Sequence, residues 1–127
     1  MALFQELLSL LEQLAPARLA ADWDNSGLMV GRPGAEVKKA AIALDPSPQA
    51  VKAAKNLGAD VLITHHPLIF KPLKKLNLDE PAVQALALAL KLDLAVASAH
   101  TNLDAALNGV SRVLARRLDL RSVETQI

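Results

Sequence analysis

Residues 60–70 read DVLITHHPLIF, an apolar run that closes on two adjacent imidazoles, His65 and His66, followed by Pro67. A short apolar run bounded by Gly58 and Pro67 has the length of a buried strand, and the elements on either side decide what kind of sheet it enters. Towards the N-terminus, PSPQAVKAAKNLGAD starts a helix, with Ser47 as its N-cap, Pro48 at its first position and Gly58 at its stop. Before it, Ala40 to Leu44 has buried-strand character, and Gly27 to Val30 is a shorter strand closed by Gly31, Pro33 and Gly34. The first residues place Leu3, Phe4, Leu7, Leu8, Leu11 and Leu14 at helical spacing.

Towards the C-terminus, DEPAVQALALALKL alternates Leu and Ala as a strand would. Pro81 behind Asp79 and Glu80, with the high Ala and Leu content, favours a helix instead. Residues 94–100, LAVASAH, form a further buried strand, and TNLDAALNGVSRVLARRL a closing helix broken near Gly109. Strands alternating with helices imply right-handed crossovers, so the expected fold is α/β, a mostly parallel sheet flanked by helices, with residues 1–127 forming one domain.

Composition excludes several classes of function. The formal charge of +1 offers no field for a phosphate backbone or an anionic membrane, and Phe4, Trp23 and Phe70 are too few aromatics for base-stacking platforms. No nucleic-acid partner is expected. With no cysteine there is no disulfide, thiolate metal site or cysteine nucleophile, so any metal must be held by His and carboxylate. No stretch approaches the roughly 18 apolar residues of a membrane span, and the N-terminus lacks a basic leader and cleavage site. A soluble, cytoplasmic protein is expected.

The strands deliver the chemistry. Their apolar runs end on Asp45, on His65 with His66, and on His100, which a parallel sheet sets along the edge where ligands bind. Consecutive side chains of an extended chain point oppositely, and Pro67 biases His66 towards extended backbone, so His65 and His66 should diverge. Either they approach two neighbouring ions, or one serves the site while the other packs elsewhere. Asp104 falls in the first turn of the helix that Asn102 is expected to cap. It is either a carboxylate stabilised by the helix dipole or a metal ligand beside the two histidines. His100 is a further ligand, a proton carrier or an ordering neighbour. Asp45 either orients a ligand or substrate or belongs to turn chemistry, with Ser47 structural. Trp23, Asp24 and Asn25 either line a pocket or organise a turn. Lys71, Lys74 and Lys75 read as a solvated connection, and Arg116 and Arg117 as helix-end charges. No nucleophile elbow or glycine-rich phosphate loop is present.

WDNSGLMVG, ALDPSPQAV, GADVLITHHPLIF and ASAHTNLDAALNGV occur in that order between about residues 22 and 110. The ordered set resembles the Nif-three-like family of dinuclear-metal proteins, the GTP cyclohydrolase I type 2 homologues. That resemblance implies an α/β protein assembling as a toroidal homohexamer around two-metal sites. It carries the paired histidine ligands to His65 and His66, the aspartate ligand to Asp104, and a near-site role to His100. It also implies a second half, absent here, whose histidine and glutamate complete the metal set, so residues 1–127 match the N-terminal half.

Two functions follow as expectations. One is a metal-dependent hydrolase, or the metal-binding half of one, acting on a phosphorylated or nucleotide-like small molecule with up to two divalent ions, Zn, Mn or Fe. His65, His66 and Asp104 would hold metal, while His100 or Asp45 moves or orients a proton. The other is a non-catalytic metal-binding scaffold or partner-binding module. A chain whose histidines are the remnant of a site completed elsewhere is the third possibility.

Overall fold

The structure is a computed structural model that describes residues 1–124. Its elements run β1 (Ala2–Leu3), α1 (Phe4–Leu14), a 3-10 turn (Ala17–Leu19), β2 (Gly27–Val30), β3 (Glu36–Val37), β4 (Ala40–Ala43), α2 (Pro48–Asn56), β5 (Val61–Thr64), α3 (Pro81–Lys91), β6 (Ala95–Ser98), α4 (Thr101–Ala105) and α5 (Val110–Arg117). Four strands form one sheet in the order β2-β6-β5-β4, with β4, β5 and β6 parallel and β2 antiparallel to β6. The expected mixed α/β architecture is therefore present.

Local chemistry sets the helix ends. Ser47 Oγ accepts from the Ala50 amide at 3.1 Å, with Pro48 in the first turn of α2. Gly58 closes α2 at φ +74°, with the Ala59 amide reaching Ala54 O and the Gly58 amide reaching Lys55 O. This paired closure suits a residue in the left-handed region. The same closure ends α3, where Asp93 takes φ 50° and the Leu94 amide reaches Ala89 O. Pro81 opens α3, so helix wins over the strand-like alternation of its Leu and Ala.

Helices cover the two faces of the sheet unequally. On one face α2 and α3 bury Val51, Ala54, Ala85 and Ala89 against Leu62, Val96 and Val30. On the other, Phe4 of α1 packs on Val61, Ala95 and Ala97, with Leu7, Leu8, Leu11 and Ile63 partly buried around them. That second cluster ends at β5. Hence the run from Ala40 to Leu44 departs from its expected burial, since β4 is an edge strand beyond the reach of α1, and Ile42 is 83% exposed and Leu44, just after the strand, 61% exposed. The antiparallel pair β1–β3 was not anticipated, because two residues per strand carry no alternation to detect.

Asp60 fixes the start of β4 through its carboxylate. Its Oδ2 accepts from the amides of Lys38 at 2.8 Å and Lys39 at 3.0 Å. These two amides, helped by the charges of Lys55 and Lys38, outweigh desolvation and hold the carboxyl below its ordinary value. A depressed folded pKa contributes stability that is fully present above the unfolded value and lost as pH falls through the folded one. Asp60→Asn is expected to cost roughly 1 kcal/mol at neutral pH, since the site is solvated. Urea midpoints of the two proteins should converge below the ordinary value of 3.8. A gap independent of pH would show that the charge is immaterial.

Candidate metal centre

Beyond the C-terminal ends of β4, β5 and β6 the three histidines meet. One ring nitrogen from each of His65, His66 and His100 lies within 4.8 Å of those of the other two. Ring centroids are 5.2 Å apart for His65–His66, 5.2 Å for His65–His100 and 5.6 Å for His66–His100. The expected divergence of the adjacent pair is thus not observed. The backbone bends at residues 65 and 66, and Thr64 Oγ1 donates to His66 O at 2.7 Å, so the rule for extended chain ceases one residue too early.

Each imidazole is oriented through the same nitrogen. His65 Nδ1 lies 2.9 Å from Ala99 O, His66 Nδ1 2.5 Å from Asp45 Oδ1, and His100 Nδ1 2.8 Å from Asp24 Oδ1. A carbonyl and two carboxylates only accept, so in the neutral rings Nδ1 carries the proton and Nε2 presents its lone pair. Asp104 Oδ1 stands 3.6 Å from His65 Nε2, from the first turn of α4 as expected. Three free imidazole nitrogens, that of His65 beside the Asp104 carboxylate, are a donor set that fits a divalent transition metal, each ring steadied by a partner on its far side. Asp45, divided between two roles in the sequence, is one of those steadying partners.

Asp24 is the residue that sequence reasoning undervalued. Its side chain has no solvent exposure. Burial alone would push its carboxyl up, but donors from Thr101 Oγ1, His100 Nδ1 and the amides of Asn25 and Thr101 outweigh burial and hold it down. No local motif could announce this, because its partners lie 76 and 77 residues away. Asn102 does not cap α4 as expected. His100 is the flanking residue, and Asn102 is buried inside the first turn, accepting from the His100 amide at 2.8 Å and donating to Ala15 O at 2.7 Å. Its side chain thereby ties the end of α1 to the loop that carries His100.

Trp23 lies at the rim, edge-on to Phe70 at 5.9 Å and to His100 at 6.4 Å between ring centroids. Asn25 Nδ2 donates to Ile69 O at 2.5 Å and so joins the Trp23 loop to the segment bearing Phe70. Lys71, Lys74 and Lys75 are exposed on the connection, as expected. A cavity of about 320 Å³ adjoins Asp104, lined also by Thr101, Ser111 and Arg112. One of about 420 Å³ lies at the opposite end of the sheet, around Gly31, Asp60 and Asp93, away from the histidines.

Comparison with known proteins places this geometry in a family context. The model of the family described as Duf34/NIF3 (NGG1p interacting factor 3) matches residues 2–126. The chain is 38% identical over 120 residues to a GTP cyclohydrolase 1 type 2 homolog of Bacillus subtilis, covering 94% of this chain and 32% of that one. A protein of the same name from Methanocaldococcus jannaschii is 40% identical over 119 residues, covering 93% of this chain and 48% of the relative. Among solved structures, a Bacillus cereus protein related to NIF3 superposes with a TM-score of 0.91 at 39% identity, covering 98% of this chain and 35% of the other. Reduced HcgD from Methanocaldococcus jannaschii gives a TM-score of 0.88 at 37% identity, covering 97% and 49%. The chain thus spans between about a third and a half of the length of these relatives.

Proposed function

As this chain belongs to the Duf34/NIF3 family, we propose that it supplies one half of a divalent-metal centre in a hydrolase of phosphorylated or nucleotide-like small molecules. The observation that carries this reading is the common orientation of the three rings: every Nδ1 faces an acceptor, which frees the three Nε2 lone pairs for ligation, with the Asp104 carboxylate 3.6 Å from that of His65. His65, His66 and Asp104 are the ligands. Bound divalent ions, up to two of Zn, Mn or Fe, would supply Lewis acidity and acidify a water.

His100 takes the neighbouring role. Its Nε2 accepts a proton from a water or substrate hydroxyl, and Asp24 stabilises the imidazolium that results. Asp45 keeps His66 in its ligating tautomer. Trp23 and Phe70 flank the open side of His100, and Asn25 keeps their loops together. The names of the relatives support a nucleotide-like substrate, and their additional length supports further ligands from a second half. No helix among the described residues is long and apolar enough to cross a membrane. The proposed location is the cytoplasm.

A non-catalytic oligomeric scaffold is favoured by one observation, the exposed apolar side chains of Ile42 on edge strand β4 and of Leu44 just beyond it. A homohexamer suits either reading. Elemental analysis of chain purified without chelator is the test. Wild type is expected to retain divalent metal, and His65→Ala, His66→Ala and Asp104→Ala each to lose affinity by at least about tenfold. Unchanged metal content in all three would sink the site. Metal retained without turnover of nucleotides or phosphoesters, by this chain and by one of the relatives' full length, would favour the scaffold.

A further inference from the structure

We propose that Asp24 is the positioning residue that sets the tautomer of His100, and that the isosteric amide cannot replace its carboxylate without reversing that tautomer. The functional meaning of this rests on the proposed metal centre, whereas the tautomer itself does not. Asp24 Oδ1 accepts from the Asn25 amide at 2.7 Å and from His100 Nδ1 at 2.8 Å. Its Oδ2 accepts from the Thr101 amide at 3.1 Å and from Thr101 Oγ1 at 2.5 Å. Four donors therefore fill the approximately four lone-pair sites of one ionised carboxylate.

Each oxygen faces one backbone N–H, and a backbone N–H cannot become an acceptor. An asparagine at this position would have to set its NH2 against one of them. Aimed at Thr101, the NH2 would oppose an amide fixed in the first turn of α4. It would also force the Thr101 hydroxyl round, although that hydroxyl already accepts from the Ala21 amide at 2.9 Å. Aimed the other way, it would meet the Asn25 amide, which belongs to an exposed turn, and the Nδ1 of His100. A neutral imidazole can exchange its donor and acceptor nitrogens, so the second orientation asks least of the structure. His100 would then carry its proton on Nε2, and the lone pair that faces the centre would be gone.

The same coupling explains why a carboxylate is buried here at all. It is the one group that satisfies two fixed amides and still holds His100 as a donor through Nδ1. His65 obtains the equivalent setting from the backbone carbonyl of Ala99, and His66 from the more exposed Asp45. Only at His100 is the setting made by a buried, replaceable side chain.

Histidine ring 15N spectra of the full chain without added metal test this directly. They would be taken at about pH 8, above the ordinary imidazole range, with the His100 signals identified by their loss in His100→Gln. Wild type is expected to show His100 as the Nδ1–H form, and Asp24→Asn to convert it predominantly to Nε2–H. A structural role for Asp24 would lower stability in that variant without moving the tautomer. An Nδ1–H ring retained in a folded Asp24→Asn protein would overturn the proposal. If that variant fails to fold, the wild-type spectrum decides, since an Nε2–H His100 there would overturn it equally. Absence of metal from wild-type protein would sink the metal centre and leave the tautomer result standing.

Discussion

Phe4→Ala is expected to remove about 3–5 kcal/mol of stability, a large share of the roughly 5–15 kcal/mol that holds an ordinary domain together. Phe4 has no solvent exposure and is, among the described residues, the largest side chain buried between α1 and the sheet. Its neighbours there, Ala95 and Ala97, have no side-chain length with which to fill the hole. The packing around it is already close. A methyl group on Gly31 would meet Ala95 Cβ at 2.8 Å and Phe4 Cε1 at 3.2 Å, so β2, β6 and α1 converge on this ring. The first turn of α1 is also tied to the 33–35 loop, through Phe4 N to Ala35 O at 2.8 Å and Gln5 N to Pro33 O at 2.8 Å. Urea denaturation of Phe4→Ala against Leu10→Ala, whose side chain is 49% exposed on the same helix, separates burial from helix propensity. The Leu10 variant should stay within about 0.5 kcal/mol of wild type. A Phe4 midpoint equally unmoved would mean that α1 contributes little to the fold.

Much of the frame around the centre is legible in the sequence because its signals are local. Ser47 and Pro48 announce α2, and the closing segment breaks at Gly109 into α4 and α5 as expected. The polar residues that end each apolar run, Asp45, His65, His66 and His100, do lie beyond the carboxyl ends of parallel strands. What fails is what depends on distance along the chain or on leaving regular backbone. The convergence of His65 and His66 arises from a bend and a Thr64 hydroxyl bond, and dihedral rules for strands do not reach it. The exposure of Ile42 depends on how far α1 extends across the sheet, which no property of residues 40–44 records. Asp24 acquires its meaning only when the fold brings it under His100 and Thr101. Asn102 likewise gives up its expected cap position to bind Ala15 O, 87 residues away.

Gly109→Ala is expected to be as damaging as the loss of Phe4, by a different route. Its φ is −82°, which any residue adopts, so the constraint is space and not backbone freedom. A Cβ at this position would lie 1.7 Å from Leu103 O, 2.9 Å from Leu103 C and 3.1 Å from Ala106 O. All three are backbone atoms of α4 and its exit, and they cannot turn aside as a flexible side chain would. The turn between α4 and α5 must open. The expected cost is about 3 kcal/mol, at the upper end of ordinary overpacking. The displaced carbonyl belongs to Leu103, and the next residue is Asp104, whose carboxylate stands 3.6 Å from His65 Nε2. Opening the turn should therefore weaken divalent-metal binding in molecules that remain folded, with His65 and His66 left in place beyond the end of β5 and His100 held by Asp24 at the start of α4. Gly34→Ala is the control, since nothing lies within 4 Å of a Cβ there. It should change stability by no more than about 0.5 kcal/mol and leave metal binding unaltered. Denaturation midpoints combined with metal titration of both variants read the two effects separately. If Gly109→Ala lowers stability but binds metal as wild type does, the carboxylate of Asp104 is not part of the centre, and the histidines hold the ion without it.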